Sequence, residues 1–94
     1  MKYEIMFIVR PNLEEGDLKA VVKNFEEVLT KNGAKIESTK EMGQRELAYE
    51  INKFQTGYYY LFVVEAESAA VKEFDRVARI NESLLRHLVV KVED

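Results

Sequence analysis

Along this chain the spacing of apolar residues alternates between a two-residue and a helical repeat, and that order leaves few folds open. Tyr3, Ile5, Phe7 and Val9 share one side of an opening strand, with Met6 and Ile8 on the other. Arg10-Pro11-Asn12 ends it, because the sole proline has no amide to give a sheet ladder. Leu18, Val21, Val22, Phe25, Val28 and Leu29 then follow the helical repeat and form one apolar stripe. Asp17 is the expected N-cap, with Glu14 and Glu15 near the positive end of the helix dipole. Asn32-Gly33 supplies the stop, since glycine adopts the left-handed conformation freely.

The strand repeat returns near Ala34 and resumes as Leu47–Ile51, with Gly43 marking a bend or bulge between the halves. Thr56-Gly57 is placed in the turn before Tyr58–Val64, the strongest strand pattern in the chain. Ser68 is expected to cap a second helix carrying Val71, Phe74, Val77 and Ala78 on one side. After Asn81, Leu88, Val90 and Val92 alternate with Val89 and Lys91 in a closing strand. The order βαββαβ predicts an α+β fold, a ferredoxin-like split βαβ sandwich with two helices on one face of a four-stranded antiparallel sheet. Right-handed crossovers put the first and third strands at the centre and the second and fourth at the edges. At 94 residues, one domain spanning 1–94 is expected.

Chemistry has little to draw on. The absence of cysteine removes disulfides, thiolate nucleophiles and zinc–thiolate sites together. The glycines stand apart at 16, 33, 43 and 57, so there is no phosphate-cradling loop. His87 is the only histidine and has no carboxylate or hydroxyl at a recognisable catalytic spacing. It reads as a residue near an RNA surface, or as a strand residue facing water. Glu14, Glu15 and Asp17 could surround a hard cation, although helix-start electrostatics accounts for them. No catalytic residue, cofactor, metal or small-molecule substrate is expected.

The apolar run Ile5–Val9 is too short to span a bilayer, and no signal-peptide pattern is present. The chain is therefore expected to be soluble and cytoplasmic, with no membrane partner. Its net charge of −3 argues against indiscriminate gripping of phosphates. RNA binding would have to be local, shape-based or shared with a partner.

Two segments invite a binding role. Tyr58-Tyr59-Tyr60 lies on the third strand, where RNA-recognition motifs stack bases, yet alternate side chains of a central strand must also pack under the helices. Gly43–Lys53 can be a strand with two faces, Leu47, Tyr49 and Ile51 alternating with Glu46, Ala48 and Glu50. Arg45 and Lys53 bracket it and could each hold a phosphate. Glu46 and Glu50 cancel those charges, so on physical grounds alone an edge strand guarded by charges is the preferred reading.

The run Gly43-Gln44-Arg45-Glu46-Leu47-Ala48-Tyr49-Glu50-Ile51-Asn52-Lys53, followed by Gly57-Tyr58, resembles the pattern of the bacterial small-subunit ribosomal protein S6 family. The opening Tyr3-Glu4 with the apolar run to Val9 and Pro11 resembles it too, as does Arg79-Ile80-Asn81 before Leu88-Val89-Val90-Lys91. The resemblance covers nearly the whole chain at consistent spacing. It implies a ferredoxin-like fold, no enzymatic activity, and a place in the central domain of the small ribosomal subunit. It further implies binding to 16S ribosomal RNA together with ribosomal protein S18. An acidic chain would then pair with a basic protein, and the pair would dock on RNA. At the matched positions, packing explains Leu47 and Ile51, whereas Tyr3, Arg45, Tyr49 and Lys53 are candidates for RNA or partner contact. Arg86, His87 and Lys91, on or beside the closing strand, are candidates from charge alone.

Overall fold

The computed structural model describes residues 1–92. Its elements run β1 (Lys2–Val9), α1 (Glu15–Lys31), β2 (Lys35–Ile51), β3 (Phe54–Glu65), α2 (Ser68–Ile80) and β4 (Leu84–Val92). β1, α1, β3 and α2 each send one fully buried phenylalanine, Phe7, Phe25, Phe62 and Phe74, to a common centre. The Phe7 ring lies 5.3 Å from Phe25, 5.1 Å from Phe62 and 6.4 Å from Phe74, and stacks on Tyr60 at 5.3 Å. Removing any one of these rings leaves a void worth about 3–5 kcal/mol.

The sheet order is β2-β3-β1-β4, and every neighbouring pair is antiparallel. This is the ferredoxin-like split βαβ arrangement, with β1 and β3 central as the crossover rule requires. Register sorts the side chains between faces. Phe7 is level with Tyr60 on one side and His87 on the other, and all three belong to the face under the helices. Ile8 is level with Tyr59 and Arg86, which belong to the opposite face. Tyr3, Ile5, Val9, Phe62 and Val64 complete the covered side of the core. From α1 come Leu18, Phe25 and Leu29, and from α2 Ala70, Phe74 and Ala78, whose small alanines let that helix sit close to the sheet.

Several local expectations need correction. Asp17 does not cap α1, which starts two residues earlier; Glu14 occupies the N-cap with extended backbone and no side-chain cap bond. Asp17 and Glu15 instead fall in the first turn, where the helix dipole favours them. Ser68 is the first residue of α2 rather than its cap, a place taken by Glu67. Gly43 (φ 83°) does mark the expected bulge, at the register shift after Glu41, although β2 runs continuously through it. Thr56-Gly57 is not a turn. The chain reverses at Asn52-Lys53, both at positive φ (49° and 70°), as a tight hairpin turn demands.

Gly57 is required for a different reason: β1 passes very close. A Cβ there would run into the Ile8 side chain and sit 3.2 Å from the Val9 carbonyl oxygen. Gly57→Ala should therefore destabilise the protein by about 1–3 kcal/mol, read as a lower denaturant midpoint at unchanged m-value. Burial, followed by the charge of Glu41, raises the Tyr60 hydroxyl pKa above its ordinary value. A raised folded-state pKa gives stability that is complete below the unfolded value and lost as pH rises through the folded one. Tyr60→Phe should thus flatten the alkaline limb of the stability–pH curve above about pH 10.

Candidate functional site

The β2–β3 hairpin shapes the uncovered face of the sheet. Glu46 pairs with Thr56 and Ile51 with Phe54, so residues 47–50 of β2 stand opposite Gln55 alone. The surplus chain bulges away from the ladder, as extra residues in one strand must. Tyr49, at the crest of this bulge, reaches across the sheet to Arg86 on β4, from one edge strand to the other. Arg86 Nη1 donates to the Tyr49 hydroxyl, and the guanidinium carbon stands 5.6 Å from the ring centroid. A cation over a tyrosine face at that separation is held by the ring's quadrupole as well as by the hydrogen bond.

Beneath the crossing lies a cleft of about 280 Å³, with Met6, Ile8, Tyr59 and Leu88 from the sheet and Leu47 from the bulge among its walls. Leu88 and Val90 are 53% and 46% exposed, so the apolar face continues into solvent along β4. The hairpin is tied to its own base by three side chains. Gln44 Nε2 donates to Thr56 Oγ1 at 3.0 Å, Tyr59 donates to the Glu46 carbonyl at 3.4 Å, and Arg45 Nε donates to the Met42 carbonyl at 3.2 Å.

Charge is distributed unevenly. Lys2, Lys19, Arg76 and Arg79 are each paired with a carboxylate, on the helices or near the opposite end of the sheet. Arg45, Lys53 and Arg86 have no carboxylate within ion-pair distance among the described residues. Glu65 and Glu73 both have pKa values held below the usual carboxylate range, first by hydrogen bonds from the N-terminal ammonium and from Arg76 respectively. Among the described residues, no group of three or more histidines, cysteines or acids stands together as a metal site.

The seven candidate residues therefore divide. Arg45, Tyr49, Lys53 and Arg86 gather toward the hairpin end of the sheet, with Tyr49 and Arg86 in direct contact. Tyr3, His87 and Lys91 lie on the side facing the helices. Tyr3 is 8% exposed within the core, its hydroxyl 3.9 Å from Met1 Sδ. Lys91, level with Tyr3, is exposed. The His87 side chain does not face water: it is 18% exposed, edge-on to Phe74, with Nε2 2.8 Å from Asp75 Oδ1 on α2, although the residue also borders the cleft. Asp75 also receives Arg79 at 3.0 Å, so this cluster ties α2 to β4.

The tyrosine triplet is resolved by register. Tyr60 is in the core, Tyr58 packs against it, and Tyr59 alone of the three belongs to the uncovered face. Sequence reasoning did not single out Met6, Ile8, Leu61 and Leu88, which belong to the sheet face away from the helices. The available signal was that β1 and β3 are apolar on both faces, which one layer of helices cannot cover.

The family model for ribosomal protein S6 matches residues 2–91 of this chain. The fold is also similar to the crystal structure of 30S ribosomal protein S6 from Thermotoga maritima. The TM-score is 0.90 at 28% sequence identity, covering 95% of this chain and 84% of that one.

Tyr49→Phe keeps the ring over Arg86 but removes the hydroxyl that accepts its hydrogen bond. It should cost at most about 1 kcal/mol of global stability while speeding amide exchange across residues 47–50, measured by native-state hydrogen exchange.

Proposed function

We propose, because the chain belongs to the ribosomal protein S6 family, that it binds 16S ribosomal RNA in company with ribosomal protein S18. Membership in the family makes it a structural, non-enzymatic constituent of the small ribosomal subunit, and hence a cytoplasmic, ribosomal-RNA-binding protein. The observation that supports the finer reading is the juxtaposition of an uncovered apolar face with cations that lack carboxylate partners.

The two parts suit two kinds of contact. Met6, Leu61, Leu88 and Val90 are aliphatic or thioether side chains, which pack against another protein's apolar residues. A platform for successive bases needs aromatic rings instead, and of the tyrosine triplet this face holds only Tyr59, whose hydroxyl is engaged with Glu46. The chain's net charge of −3 favours a basic protein as the occupant. Arg45, Lys53 and Arg86 at the adjoining end are placed to reach RNA phosphates, with Tyr49 holding Arg86 in position.

Small subunits washed at moderate salt should retain the chain, and its complete absence from them would sink this reading. Arg45→Ala or Lys53→Ala should weaken association with the particle and lower the slope of log K against log salt by about one, with the fold intact. Leu88→Asp should leave stability within about 0.5 kcal/mol and abolish co-elution with S18. Tight binding of short single strands without S18 would favour a free-standing RNA binder instead.

A further inference from the structure

Arg10 follows β1 directly, and its amide donates to the Ser83 carbonyl at 2.9 Å. Its Nε is enclosed by protein yet has no hydrogen-bond partner among the described residues. Buried polar groups are almost always partnered, and a charged one left unpaired carries a heavy desolvation cost. The terminal guanidinium nitrogens are not enclosed, and no carboxylate stands within ion-pair distance of them among the described residues. The stem of this side chain is thus seated in the fold while its fork is open. Little side-chain freedom remains to be lost when an anion binds.

Register gives the fork its company. Val9 pairs with Tyr58, which brings Arg10 level with Gly57; on the far side of Gly57 is Arg45. The row Arg45–Gly57–Arg10 covers two strand spacings, about 10 Å, and its middle residue carries no side chain. Gly57 cannot carry one, because Ile8 fills the space. One row inward, Arg86 is level with Ile8. β1, β2 and β4 therefore each bring an arginine without a carboxylate partner to the same end of the sheet, beside Lys53 in the hairpin turn.

We infer that Arg10 binds a phosphate of the RNA backbone, extending the contact made by Arg45 and Arg86; this rests on the proposed binding of ribosomal RNA. A planar guanidinium fork matches phosphate oxygens in a bidentate fashion. A carboxylate of the protein partner is the weaker alternative, since an acidic chain selects a basic partner.

The test is retention of 16S ribosomal RNA by the chain with S18 across a potassium chloride series, for wild type, Arg10→Gln and Arg10→Lys. Thermal melts confirm folding of each. Arg10→Gln should weaken binding several-fold and flatten the slope of log K against log salt by about 0.7–0.9, while Arg10→Lys preserves the slope. An unchanged slope in Arg10→Gln overturns the inference and leaves the proposed function standing. So does an equal loss of pairing with S18 when RNA is absent, because Arg10 would then serve the protein interface. Failure of the wild-type pair to retain RNA at any salt overturns both.

Discussion

Phe7 touches the aromatic core of every layer: Phe25 and Phe74 from the helices, Tyr60 and Phe62 from the neighbouring strand. Packing both helices around that ring commits them to one face of the sheet. The other face of β1 and β3 is nevertheless apolar, with Met6, Ile8, Tyr59 and Leu61 in the two central strands. A ferredoxin-like sheet with one helical layer has nothing left to cover it. The aromatic core thus decides where the protein is open to a partner.

The hairpin is the chain's own partial answer to that exposure. Four residues of β2 face one of β3, and the excess arches over the apolar face instead of extending the edge. Tyr49 closes the arch on Arg86 through a hydrogen bond and the ring face. The same contact holds a guanidinium still at the margin of the open face without neutralising it. A carboxylate in place of Tyr49 would hold Arg86 as well, but would cancel the charge.

Two other arginines, Arg76 and Arg79, are paired with carboxylates. The helix pairs Lys19–Glu15, Arg76–Glu73 and Arg79–Asp75 are exposed or half-exposed and contribute little stability individually. Their effect is on distribution: with those cations matched, the unpaired arginines fall at the hairpin end. A chain with net charge −3 in this way gathers its unpaired arginines at one end of the sheet, where Glu46 and Glu50 also lie.

By itself the sequence determined the element order, the strand order and the packing faces of β1 and both helices. Each follows from repeats of two or 3.6 residues and from the handedness of crossovers, which are local or chiral properties. The family was legible too, in the spacing of the Gly43–Lys53 run. What the tertiary structure alone decided depends on register between distant segments. Asp75 became the partner of His87, and Tyr49 met Arg86 across 37 positions of chain. Gly57 belonged to a close approach of β1 rather than to a turn. Arg10, in sequence only the residue before a proline, came level with Arg45 because β3 lies between their strands. No periodicity encodes these contacts, because each depends on where a second strand stops sliding against the first.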